Sequence, residues 1–353
     1  MGGGMLQSLL NMAIRKDSPE RPHIDEVSPM AAIAGGEIHI RGRSLAGSGR
    51  PTVMLGNMAA PVVIGSDNFV IIRVPEGAVA SRLTIGNGGR AAASSRCEIG
   101  IQIADNIHAV ANPAIDSRGN IYTTFSGSRG QKTPVAVFKI DTNYNVRPFI
   151  TDLMNATGLA FDRGGDLYIS SRHDGIVYRA DSEGNLSVYV EGMGIATGIA
   201  FDPDGNLFVG DRSGTIFKIS RDRQIYVFAT LEPSISAYHL AFGPDEYLYV
   251  TDPTTSSNDA VYRISPAGET EVFYQGLGRP QGLAFDAEGR LYVSASLGGR
   301  KGIVRFEAGK PPEFFLSGPG IAGLAFAPGG ALIVATSGAL YRLDLGIAGK
   351  PLP

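Results

Sequence analysis

Apolar and polar residues alternate with a period of two through much of this chain. The runs Glu37-Ile38-His39-Ile40-Arg41, Thr52-Val53-Met54-Leu55, Val70 to Val74, Arg82-Leu83-Thr84-Ile85 and Glu98 to Ile103 lie between stretches punctuated by Gly and Pro. Such runs predict short strands with one face on a core, and their spacing over residues 22–104 predicts a β-sandwich. The first 21 residues depart from this period. Met5, Leu6, Leu9, Leu10, Ala13 and Ile14 fall on one face of a helix, opposed by Gln7, Ser8, Asn11, Arg15 and Lys16, and Pro19 and Pro22 end it. A short amphipathic helix is expected there. Its face of Leu6, Leu9, Leu10 and Ile14 either folds back on its own domain or docks on a partner, and the brief basic end favours a protein partner over lipid.

From residue 105 to 347 the pattern repeats. Thr157-Gly-Leu-Ala-Phe-Asp-Arg-Gly-Gly-Asp-Leu-Tyr-Ile-Ser170 recurs from Thr197, Tyr238, Gln281 and Ala322, with a divergent copy from Ala111. The sixth position of each copy is Asp116, Asp162, Asp202, Gly243, Asp286 and Ala327, at steps of 46, 40, 41, 43 and 41 residues. Each copy reads as a strand, a tight turn of Asp, Asn and Gly, a second strand, a polar loop and two further strands. Six units of four strands read as a closed six-bladed β-propeller. The sixth copy lacks its own fourth strand, and part of 97–106 is expected to supply it. Residues 348–353 read as a tail.

The residues of both parts resemble known families. Ile24-x-x-Val27-Ser28-Pro29, Gly35-Gly36-x-Ile38-x-Ile40-x-Gly42, Val53-x-Leu55-Gly56 and Val74-Pro75-x-Gly77-Ala78 resemble an IPT/TIG domain. That resemblance implies an immunoglobulin-like sandwich used as a spacer or contact module. The Gly-x-Ala-Phe-Asp-x-x-Gly-x-Leu-Tyr-Val copies resemble NHL repeats and, more distantly, the six-bladed propellers of the senescence-marker-protein/gluconolactonase family. The second resemblance implies a divalent cation, held in the channel by Glu, Asn and Asp from the start of the repeat. The matching positions here are Ala111, Thr157, Thr197, Tyr238, Gln281 and Ala322, none of them a carboxylate.

Composition narrows the class. There are 47 Gly and 21 Pro, and charged residues make up only 18%, a balance that suits strands and turns better than long helices. A net charge of −3 without a basic cluster argues against nucleic acid. Cys97 is the one cysteine, which excludes an intrachain disulfide and a Cys-based zinc site; its strand setting predicts a buried thiol. No run is apolar enough for a transmembrane segment and the N-terminus does not read as a signal peptide, so the chain as written reads as cytoplasmic. It would be an exported protein if the N-terminus is truncated or engineered.

In a propeller, the loops entering the first strand and joining the second to the third surround one channel mouth, the default ligand site. Asn112, Thr157, Arg172, Thr197, Asp211, Arg212, Tyr238, His239, Asp252 and Gln281 are the candidates there. His239 stands where the repeat has Gly. Asp211 and Asp252 occupy equivalent places in adjacent blades. They either hold a cation or act as acid and base, or each caps its own loop. No nucleophile elbow, phosphate loop or paired-His metal motif appears. The expectation is a non-catalytic binding or scaffold protein without a cofactor, holding a protein, peptide or glycan partner. Uneven polar loops at 126–133, 253–259 and 296–301 support it. The alternative is a metal-dependent lactonase with a divalent cation such as calcium, which requires Asp211, Asp252, Asn112 and His239 to converge.

Overall fold

The computed structural model describes residues 21–351, apart from 48, 80, 81, 89–91, 126 and 129. Every regular element among the described residues is a strand, and no helix is long and apolar enough to cross a membrane. The helix expected within 1–21, with Leu6, Leu9, Leu10 and Ile14, lies outside the described residues. The chain divides into two compact units, 1–99 and 100–353.

In the first unit one antiparallel sheet runs His23–Ser28, Glu37–Arg43, Phe69–Arg73, Val62–Gly65, and a second runs Met58–Ala60, Thr52–Leu55, Arg82–Gly86, Ala92–Arg96. Ala31–Ala32 and Glu98–Ile99 form a short parallel pair. Alternation decides what faces inward. Ile38, Ile40, Val70 and Ile72 of one sheet meet Val53, Leu55, Leu83 and Ile85 of the other in a single core. Burying each such side chain stabilises by roughly 1.5–3 kcal/mol. His39 is on the outer face, edge-on to the Phe69 ring at 5.4 Å. Cys97 is fully buried, and loss of solvation pushes its thiol up to about 12, with the charge of Glu98 adding to the shift.

The second unit is six four-stranded antiparallel sheets, or blades. Blade one is Ala114–Ile115, Ile121–Thr124, Val137–Ile140 and Val146–Ile150. Blade two is Ala156–Phe161, Leu167–Ser171, Val177–Ala180 and Leu186–Val190. Blade three is Ala196–Phe201, Leu207–Asp211, Thr215–Ile219 and Ile225–Thr230. Blade four is His239–Phe242, Leu248–Thr251, Asp259–Ile264 and Thr270–Leu277. Blade five is Leu283–Phe285, Leu291–Leu297, Arg300–Phe306 and Glu313–Ser317. Blade six is Ile321–Ala327, Ala331–Thr336 and Ala339–Asp344, and Ile101–Asp105 from the start of the unit pairs with Ala339–Asp344 as its outermost strand. Each first strand touches the first strand of the next blade, and the sixth touches the first, so the ring is closed as in a β-propeller.

The repeat residues explain this locally. Asp116, Asp162, Asp202 and Asp286 each accept the backbone N–H four residues on, at 2.8–3.0 Å, which closes the turn into the second strand. The aromatic residue of each second strand then meets the Phe of the following blade edge-on. The pairs are Tyr122–Phe161, Tyr168–Phe201, Phe208–Phe242, Tyr249–Phe285 and Tyr292–Phe326, with ring centres 4.8–5.2 Å apart. Such contacts add about 0.5–1.5 kcal/mol each beyond area burial. At the seam between blades six and one the packing is aliphatic instead, with Ile107, Ile115, Ile121, Ile333 and Leu340 in one cluster.

Candidate ligand site

The first strands of the blades begin with two rings of residues around the channel. In the first ring Ala111, Thr157, Thr197, Tyr238 and Ala322 are buried. Their polar groups are spent within the protein. Thr157 Oγ1 donates to Asn155 O at 3.1 Å, Thr197 Oγ1 donates to Gly210 O at 2.8 Å and accepts from Tyr238 N, and the Tyr238 hydroxyl donates to Glu232 O. Gln281 is half-buried, and its carbonyl accepts from Thr251 Oγ1 at 2.7 Å.

The second ring is Asn112, Gly158, Gly198, His239, Gly282 and Gly323. The glycines are required by close approach. An added Cβ would lie 2.4 Å from Thr197 O at Gly158, 2.3 Å from Tyr238 O at Gly198 and 2.4 Å from Ala111 O at Gly323. Asn112, where blade one departs from Gly, staples two blades: Nδ2 donates to Leu283 O at 2.7 Å and Oδ1 accepts from Leu324 N at 3.0 Å. His239, the other departure, is buried, pairs through its backbone with Thr251, and its imidazole makes no hydrogen bond to the described residues. Desolvation lowers its imidazole to about 4, so it is neutral at pH 7.

Beyond these rings, toward the turns between first and second strands, the channel opens into a cavity of about 620 Å³. Room comes from small residues at one repeat position, Ala160, Ala200, Ala241, Ala284 and Ala325, all only partly buried. Leu, Ile and Phe of the same strands complete an apolar wall, with Asn112 and His239 at its inner end. The segment 346–351, which includes the start of the 348–353 stretch read from sequence as a tail, crosses the mouth. Ile347 N donates to Gly330 O, Ala287 N to Ala348 O and Lys350 N to Phe285 O, at 2.8–3.2 Å, so the segment runs from blade six to blade five. The Lys350 ammonium reaches blade four, donating to Phe242 O and Gly243 O, both at 2.9 Å.

The remaining sequence candidates lie among the loops and do not line this cavity. Arg172 donates to Gly127 O at 2.7 Å, and Arg212 to Ser234 O and Ile235 O. Asp211 Oδ1 accepts from Ile195 N and Ser213 N, and Oδ2 from Ser213 Oγ, at 3.1–3.2 Å, so it caps the loop after its strand and ties it to the segment entering the blade. Asp252 is buried, and its Oδ1 has no hydrogen-bond partner among the described residues. Burial holds its carboxyl above the usual range, opposed by a hydrogen bond from Ser234 and reinforced by Asp259 and Glu232. The cavity thus takes in Asn112 and His239 and leaves out Asp211 and Asp252.

The donor set does not fit the cation implied by the gluconolactonase resemblance. Among the described residues no three His, Cys, Asp or Glu side chains are grouped to hold a metal. The first-ring hydroxyls and the Asp211 carboxylate already serve backbone groups, and a hard cation needs such oxygens free. No reaction step is derived through a metal.

Residues 22–98 match the IPT/TIG domain family. No curated protein matches the chain. Among solved structures, a gluconolactonase from Xanthomonas campestris is similar at 17% identity and TM-score 0.59, over 69% of this chain and 89% of that one. An auxiliary nutrient binding protein from Bacteroides ovatus is similar at 10% identity and TM-score 0.53, over 93% of this chain and 98% of that one. Its counterpart from Bacteroides thetaiotaomicron is similar at 12% identity and TM-score 0.51, over 93% and 99%. At these identities the likeness is one of fold.

Proposed function

We propose that this protein binds a small molecule in the propeller channel and does no chemistry on it. The observation that carries the reading is the apolar cavity of about 620 Å³ with few polar groups, a size and lining that suit a compact organic ligand. The IPT/TIG-like unit acts as a spacer or contact module, and a protein or glycan partner, if engaged, meets the polar loops on the other face. That nutrient-binding proteins share the fold over nearly the whole chain supports a binding role. The lactonase alternative draws on the repeat's resemblance to the gluconolactonase family and on the fold of the Xanthomonas enzyme, and the donor set does not fit its cation.

Two measurements test the reading. Nile red, a neutral dye whose emission rises in apolar sites, should bind the full chain and lose its signal in Ala284→Phe, which puts a bulky ring into the cavity. Chelator-treated protein should then be titrated with calcium, magnesium, manganese and zinc. Saturable one-site binding lost in Asp211→Ala or Asp252→Ala, together with lactone hydrolysis, would overturn the binding reading in favour of a hydrolase.

A further inference from the structure

We infer that the ligand of the channel cavity is an amphipathic monoanion, an apolar body ending in one carboxylate, and that Lys350 is the residue that selects it; this rests on the binding reading above. Of the described residues lining the cavity only Asp116 and Lys350 carry a formal charge. Asp116 is already saturated: its two oxygens accept from Arg118 N, Asn120 N, Asn120 Nδ2 and the Tyr122 hydroxyl. Lys350 is not. Its ammonium has three N–H donors and two neutral carbonyl partners, and among the described residues no carboxylate lies within ion-pair distance.

Half-burying a cation at the lip of an apolar wall, with the Asp245 carboxylate acting on it only from beyond ion-pair distance, is costly, and a charge of opposite sign in direct contact offsets that cost. A ligand carboxylate at the mouth would take the third N–H while its apolar body fills the space beside the alanines. The inner end suits an apolar terminus, since the Asn112 amide is committed to Leu283 and Leu324 and His239 is neutral. The polarity thus runs one way, with charge at the 346–351 crossing and an apolar interior. This places the recognised head group on the face of the first turns, opposite the loops that sequence alone pointed to.

The test uses three probes with one apolar body, decanoate, decanol and decylamine, each titrated into the full chain at pH 7 by calorimetry and by displacement of Nile red. Decanoate should bind roughly ten-fold tighter than decanol, with decylamine weakest. Lys350→Met keeps the apolar stem and should remove the decanoate advantage while leaving decanol unchanged. Lys350→Arg should retain it, which separates loss of charge from loss of fold. Equal binding of decanoate and decanol, or decanoate binding unaffected by Lys350→Met, overturns the inference. If Nile red binds and Ala284→Phe abolishes it, yet decanoate does not displace it, the inference fails and the binding reading stands. If neither dye nor probe binds, both fail.

Discussion

The amide of Asn112 donates to the carbonyl of Leu283 at 2.7 Å across 171 residues of sequence, and its oxygen accepts from Leu324 N. One side chain of blade one thereby ties the first strands of blades five and six, beside the seam where the ring closes. Asn112→Ala leaves a buried N–H and C=O without partners, at about 1–3 kcal/mol each before relaxation. The variant is expected to lose about 2–4 kcal/mol, as the loss shared between the two groups. All 13 tyrosines lie between 122 and 341 and the chain has no Trp, so the tyrosine band of the near-ultraviolet circular dichroism follows the propeller alone. Denaturant unfolding read by that signal checks the value.

Gly198→Ala should be among the most damaging small substitutions in the propeller. The new Cβ meets Tyr238 O at 2.3 Å and His239 Cα at 3.0 Å, both backbone atoms that cannot swing away. Overpacking of this kind costs about 1–3 kcal/mol or more. Gly338→Ala, where an added Cβ meets nothing within 4 Å, should stay within about 0.5 kcal/mol of the parent. Comparing the two midpoints separates close approach from a general intolerance of alanine.

His239 should make stability fall on acidification. Its folded value of about 4 is below the unfolded 6.5, so between those values the unfolded chain binds the extra proton. The contribution is fully present above pH 6.5 and is lost as pH falls toward 4. Between pH 7.5 and pH 5 this amounts to about 2 kcal/mol by linkage. His239→Gln should flatten the profile by that amount relative to the parent, the shared carboxylates cancelling in the comparison.

The two loop aspartates should behave oppositely. Asp211→Ala removes the acceptor of three hydrogen bonds and is expected to cost about 1–3 kcal/mol at pH 7. Asp252 has its carboxyl raised by burial, so its contribution is present below the unfolded 3.8 and is lost as pH rises through the folded value. At pH 7 its charge is a net cost. Asp252→Asn is therefore expected to be neutral or stabilising at pH 7, which thermal unfolding of the full chain would register.

Much of this architecture was legible in the sequence because it depends on local rules. A period of two decides which side of a strand is buried, and Asp four residues before a backbone N–H closes a turn wherever it occurs. Six spaced copies therefore read directly as six sheets, and the missing fourth strand of the last copy pointed to a strand near residue 100. The departures at Asn112 and His239 were also visible, as non-glycines at a glycine position. What they do was not visible, because the Asn112 partners lie far along the chain. The ring of alanines stood in the repeat unread, since an alanine beside a channel and an alanine against a neighbour look alike until the ring closes.

The sequence by itself determined the class, the repeat and the number of sheets, because those follow from alternation and turn chemistry within about 40 residues. Only the tertiary structure decided where the channel is open. Close backbone approach at Gly158, Gly198 and Gly323 draws neighbouring first strands together, small side chains leave a hollow beside them, and residues 346–351 bring Lys350 to its mouth. Each depends on distances between blades, which no local pattern carries.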